Sequence, residues 1–288
     1  MARSVLITGA SGNVAGGVLP KMVKDGATVK AYVRDAAKGE KLKALGAEPV
    51  LGDFMDGARL EAAMKGMDAV ISITPPNPKA AEQASVITQA AKRAGVGHII
   101  RLSAIGAAPD APTDNGKLHY RTDAEIMATG IPYTILRPNF FMQNLFMSIP
   151  TIKAQGSMYW GMGEGSMGII DVRDIADSLA DLGTYGGHHG QIYVQTGPDS
   201  LSFSEMAAII SEAIGKPVQY VAIPVEAVGE AIRAFGMGEW FAQVMMDYSR
   251  AYARGWGDFV NGNVEDLTGK PARSFAKFVK EVYAPAFK

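Results

Sequence analysis

Short apolar runs alternate with amphipathic stretches along the first half of the chain, and this alternation predicts a series of β-α units. Residues 5–8, 29–33, 48–51, 69–73, 98–102 and 133–136 are compact and rich in β-branched or aromatic side chains, as strands buried on both faces require. Between them, residues 14–24, a charged stretch ending near Gly46, and residues 58–65, 79–94 and 118–129 place apolar positions at helical spacing. Asp25-Gly26 stops the first of these helices. Repeated β-α-β order predicts a Rossmann-type doubly wound parallel sheet, with right-handed crossovers and helices on both faces.

The rhythm changes after Pro150. Residues 151–168 are rich in Gly and Met without a clear period, and they read as a loop. Residues 171–182 return to a helical pattern, and 191–196 predict a further strand. Beyond Pro198 the pattern is mainly helical, over 204–214, 226–254 and 272–283. The expected organisation is a nucleotide-binding core over 1–150, rejoined by 166–198. A smaller, mainly helical C-terminal lobe covers 151–165 and 199–288.

Composition narrows the chemistry. The 288 residues carry a formal net charge of -1, so bulk electrostatic attraction to nucleic acid is not expected. There are no cysteines, which removes disulfides, thiolate metal sites and thiol nucleophiles together. No apolar run is long enough to span a bilayer, and the first residues lack a signal-peptide pattern. A cytoplasmic protein that binds no membrane is the expectation.

The strongest motif is Val5-Leu-Ile-Thr-Gly9-Ala-Ser-Gly12-Asn-Val-Ala15-Gly16, in which a buried strand feeds a turn of small residues and a helix follows. Such a turn lets the backbone approach a diphosphate, and the helix N-terminus offers it unpaired N–H groups. Gly9, Ser11, Gly12, Asn13, Val14 and Ala15 are therefore candidate cofactor residues. Arg34 ends the second strand, where a cation suits the extra phosphate of NADP. Asp35 stands next to it and is the alternative, a ribose acceptor of the NAD kind. NADPH is the favoured cofactor. Asp53 and Phe54 after the third strand, and Thr74 and Pro75 after the fourth, lie at further strand ends and are candidates for the adenine and ribose side of the same site.

These residues resemble the atypical short-chain dehydrogenase/reductase family, and most closely its NmrA-like branch. The resemblance rests on Thr8–Gly16, Val33-Arg34-Asp35, Gly52-Asp53, the block Gly130-Ile-Pro-Tyr-Thr-Ile-Leu-Arg-Pro-Asn-Phe-Phe141, and Leu267-Thr-Gly-Lys-Pro-Ala-Arg-Ser-Phe275. It implies an NADPH-dependent reductase of a quinone-like or conjugated aromatic substrate, or alternatively a non-catalytic NADP(H) sensor that regulates a protein partner. Typical members of the wider family pair a Tyr with a Lys four positions on, and no tyrosine here has that partner. Quinone and dye reductases similar to this chain carry His at the slot of His119, which implies His119 as a proton donor or hydrogen-bonding group, with Ser103 assisting. Asp123, four residues on, is placed to orient its ring.

Asn139, Phe140, Phe141 and Tyr159 are candidates for a permissive apolar substrate pocket, with Met142, Asn144, Met147, Met158 and Trp160 nearby. Arg137 is expected to pair structurally with Asp171 or Asp174. His188-His189 reads as a solvated loop, and no metal site is expected.

Overall fold

The computed structural model describes residues 3–287. Along the chain, β1 (Ser4–Thr8), α1 (Asn13–Lys24), β2 (Thr28–Val33), α2 (Ala36–Ala44), β3 (Glu48–Leu51), α3 (Gly57–Met64), β4 (Ala69–Ser72), α4 (Ala80–Ala94), β5 (Ile99–Leu102), α5 (Asp114–Ala128) and β6 (Tyr133–Pro138) alternate strictly. A 3-10 turn over Met142–Ser148 leads into α6 (Ile149–Gln155), β7 (Ser157–Trp160), β8 (Met167–Gly168), α7 (Val172–Tyr185), β9 (Gln191–Gln195) and β10 (Ser200–Leu201). The remainder is α8 (Phe203–Ile214), β11 (Gln219–Ala222), α9 (Val225–Ala234), α10 (Glu239–Ala253), α11 (Asn263–Thr268) and α12 (Phe275–Phe278).

The chain divides into two compact units. The first comprises residues 1–109, 116–137 and 173–194, and the second comprises 110–115, 138–172 and 195–288. In the first, the large sheet has the order β3-β2-β1-β4-β5-β6-β9. β1 pairs in parallel with both β2 and β4, so the strand order reverses between β1 and β4. Open α/β sheets bind ligands beyond the carboxyl ends of their strands at such a reversal. The helices hold that edge rigid through apolar faces. One cluster joins Leu6, Tyr32, Phe54, Leu60, Met64, Val70, Ile87 and Ile126.

The second unit differs from the sequence expectation in two places. Residues 151–168, expected as a loop, contain the end of α6 and strands β7 and β8. β7 pairs in parallel with β11, more than fifty residues away, and β8 pairs antiparallel with β10. In Ser-Met-Tyr-Trp, Met158 and Trp160 point into the core while Tyr159 faces out, a period of two too short to register against the surrounding glycines. Residues 226–254, expected as one helical stretch, break into α9 and α10. Gly236 and Gly238 sit at the break with φ of 73° and 84°, which other residues rarely adopt.

Candidate cofactor and catalytic site

The turn after β1 is built from the carboxyl ends of two strands. The Thr8 hydroxyl donates to the Ile73 carbonyl at 2.9 Å and accepts the Ile73 N–H at 2.9 Å, locking β1 to the residue that follows β4. Gly9 then turns with φ of 64°, and a Cβ on it would lie 2.9 Å from the Ile73 carbonyl oxygen. Gly12 donates its N–H to the Gly9 carbonyl at 2.9 Å, which closes the turn and opens α1. No side chain caps α1, and its first turn has no acidic residue. Helix geometry leaves the N–H groups of Asn13, Val14 and Ala15 without intrahelical acceptors. Ser11, Gly12 and Asn13 are exposed while Val14 and Ala15 are buried, so the turn opens to solvent at the positive end of the helix dipole.

Gly17 is a residue whose purpose the sequence did not disclose. A Cβ there would meet the Ala176 methyl at 2.9 Å, so its absence lets α1 lie close against α7. Ala15, by contrast, is buried without requiring glycine.

At the end of β2, Arg34 is exposed and makes no ion pair among the described residues. Asp35 is committed elsewhere: its Oδ1 accepts the N–H groups of Ala37 and Lys38 at 2.8 and 3.2 Å and caps α2. The donor set thus fits a nicotinamide dinucleotide: main-chain N–H groups for the diphosphate, a tight glycine turn against Ile73, and an unengaged guanidinium after β2. Asp53 is exposed, and its Oδ1 accepts the Met55 N–H at 2.8 Å. Phe54, also a cofactor candidate, turns its side chain inward. Only 4% of it is exposed, and it stacks on Tyr32 at 6.1 Å in the core, which leaves only its main chain for a ligand. Thr74 and Pro75 are half-buried beside Ile73.

Below the ends of β4, β5 and β6 lies a buried polar cluster. Arg101 is 1% exposed, a full-length cation inside the sheet, and donates to the Ser72 carbonyl and the Thr74 hydroxyl, both at 3.3 Å. Asp123, on α5, is wholly buried. Its Oδ2 accepts the Ser103 hydroxyl at 2.9 Å and two donors of Arg137 at 3.0 and 2.8 Å. The expected partners of two residues are therefore corrected. Arg137 pairs with Asp123 rather than with Asp171 or Asp174, and Asp123 holds Ser103 rather than the His119 ring. His119 stands one step away, with Nδ1 3.4 Å from the Ser103 oxygen. A charged residue inside the apolar run Ile-Ile-Arg-Leu was the one sequence signal of this cluster.

Burial, then Arg101, then Arg137 push the His119 pKa down to about 3. His98 is also pushed down to about 3, mainly by burial and then by His189, whose ring meets it edge-on at 4.7 Å. Thr134 gives its hydrogen to the His188 carbonyl, so the His98 Nε2–H donates to Thr134 at 2.9 Å, and Nδ1 has no partner to receive a second proton. The unfolded chain binds these two protons below about pH 6.5, while the folded chain refuses them until about pH 3. Stability therefore falls as pH drops through that window, by roughly 2 kcal/mol per histidine between pH 6.5 and 5. Urea unfolding at pH 7 and pH 5 checks this, and equal midpoints would contradict it.

The four candidate substrate residues belong to the second unit. Asn139 is buried and satisfied: Nδ2 donates to the Gly257 carbonyl at 3.0 Å, while Oδ1 accepts the Phe140 N–H and the Tyr252 hydroxyl, both at 2.8 Å. Phe140 packs edge-on against Trp160, Phe203 and Tyr252 at 5.7–6.0 Å. Both side chains are buried among the unit's own residues, Phe140 within its apolar core. Phe141 is half-buried and bridges Ile170, and Tyr159 is exposed with its hydroxyl donating to Gln155 at 2.7 Å.

Comparison with known proteins identifies the family. An NAD(P)H azoreductase from Xenophilus azovorans is 38% identical over 286 residues, covering 98% of this chain and 99% of its own. The structure of an NADPH-dependent quinone oxidoreductase from Escherichia coli, complexed with NADPH, matches with a TM-score of 0.89 at 26% identity over 97% of this chain and 99% of that one. A Citrobacter sp. triphenylmethane reductase complexed with NADP(H) matches with a TM-score of 0.86 at 25% identity over 96% and 99%. The model of the NmrA-like family matches residues 1–258, and the chain belongs to that family.

Proposed function

We propose that this protein is an NADPH-dependent reductase that passes hydride to a quinone-like or other conjugated aromatic substrate. NADPH, when bound, supplies the hydride. The observation that carries the choice of cofactor is the division of labour at the end of β2: Asp35 is spent on capping α2, and Arg34 is left free for a phosphate. The N–H groups opening α1 would hold the diphosphate, with Asp53, Thr74 and Pro75 on the nucleoside side. The names of the relatives, azo, quinone and dye reductases, support the choice of substrate.

The buried cluster supports it on chemical grounds. With a pKa near 3, His119 is a neutral imidazole at pH 7, able to hydrogen-bond but not to deliver a proton as imidazolium. No Tyr-Lys pair replaces it. A substrate whose reduced form is a delocalised anion needs no strong protein acid, and the paired cations Arg101 and Arg137 make that region favourable to negative charge.

Mixing the protein with NADPH and a panel of quinones and azo or arylmethane dyes, and following the nicotinamide absorbance, tests the proposal. Tight NADPH binding without oxidation by any member would replace it with a nucleotide sensor. Replacing Arg34 by Ala should weaken NADPH about 10- to 100-fold, the worth of a charge-assisted contact, and leave NADH within about twofold. Equal weakening of both nucleotides would place the phosphate elsewhere.

A further inference from the structure

The hydrogen bonds of the buried cluster have a direction, and it decides what His119 offers to a ligand. Ser103 is fixed by its backbone, which donates to the Leu136 carbonyl at 2.8 Å. Its hydroxyl has one hydrogen and two candidates for it: the Asp123 carboxylate at 2.9 Å and the His119 Nδ1 at 3.4 Å. Burial raises the Asp123 pKa while Arg101 and Arg137 oppose the rise, and Oδ2, which already accepts two Arg137 N–H groups, is an acceptor toward Ser103. The shorter, charge-assisted bond takes the hydrogen. Ser103 therefore shows His119 only lone pairs, and Nδ1 must carry a hydrogen to meet them. A neutral ring has one N–H, so Nε2 is bare. Nε2 has no protein partner among the described residues, and it is not among the buried unpaired atoms, so it reaches solvent.

We propose that Asp123 and Ser103 act as positioning residues that lock His119 in the Nδ1–H tautomer, so that Nε2 accepts a hydrogen bond, and the preferred substrates are aromatic oxidants bearing an amino or hydroxyl hydrogen beside the reducible group. This rests on the reading of His119 as a residue that lines the substrate site. A bare carbonyl oxygen placed against Nε2 would meet a second lone pair. An N–H or O–H donor would complete a chain from substrate through His119 and Ser103 to Asp123.

The first test reads the tautomer directly. The chain has four histidines, so a long-range proton–nitrogen correlation spectrum of the 15N-histidine-labelled protein is simple, and loss of one set of signals in His119→Gln assigns the fourth ring. The expected His119 pattern is a protonated Nδ1 and an unprotonated Nε2. Ser103→Ala should move the proton to Nε2, and Ser103→Thr, which keeps the hydroxyl, should return it to Nδ1. A wild-type ring protonated at Nε2, or a tautomer indifferent to Ser103→Ala, overturns the proposal.

The second test reads substrate choice without relying on turnover. For the NADP⁺-loaded protein, 2-amino-1,4-naphthoquinone should bind about tenfold more tightly than its dimethylamino counterpart, the worth of one hydrogen bond. Ser103→Ala should erase the difference. Equal affinities in the wild type overturn the preference. Because both tests measure binding and protonation, they stand even if NADPH oxidation fails and the reductase reading falls.

Discussion

Asp123→Ala should destabilise the protein by about 3–5 kcal/mol, the usual result of removing one side of a buried ion pair. Three hydrogen bonds to Oδ2 vanish together, and two guanidiniums, one of them wholly inside the sheet, lose their only buried counter-charge in the cluster. Burial already lowers the Arg101 pKa to about 10 with Asp123 opposing that fall. Removing the carboxylate leaves only water or deprotonation to relieve the cation. The loss should appear as a lower urea midpoint at pH 7. The double replacement Asp123→Leu with Arg137→Leu should recover only the share that belongs to Arg137, since Arg101 stays buried without its counter-charge. A loss below about 1 kcal/mol for Asp123→Ala would mean that water reaches the cluster and screens it.

Gly9→Val should abolish measurable NADPH binding, while Gly16→Ala should leave the fold as stable or more so. The two glycines are seven residues apart and physically opposite. At Gly9 the backbone has φ of 64° and a Cβ would press on the Ile73 carbonyl oxygen at 2.9 Å. Left-handed backbone costs an ordinary residue about 1–2 kcal/mol, and a β-branched one more. Relief of the clash must also part β1 from the residue after β4, pulling on the Gly12 N–H to Gly9 carbonyl bond that sets the first turn of α1. At Gly16 a Cβ meets nothing within 4 Å, and exchange for Ala inside a helix should add about 0.5–1 kcal/mol. Isothermal titration with NADPH and thermal unfolding of both variants make the comparison. Normal nucleotide affinity in Gly9→Val would show that the diphosphate does not depend on this turn.

The sequence by itself determined the parallel sheet, its strands and the nucleotide turn, because each is written in local periods and in residue types whose backbone preferences act within a few positions. The run from Val5 to Gly16 states strand, turn and helix without outside help, and the spacing from there puts Arg34 directly after β2. Only the tertiary structure decided the partners of the buried charges. Arg137 found Asp123 because β6 and α5 pack together, and no spacing rule distinguishes that carboxylate from Asp171 or Asp174. The same holds for Phe54, Asn139 and Phe140: an aromatic or amide side chain at a strand end suits a pocket and a core equally well, and the choice falls to whichever neighbours arrive from elsewhere in the chain. Strand β7 was hidden for a related reason, since its four residues are stabilised by β11, a strand from distant sequence, and not by any pattern of their own.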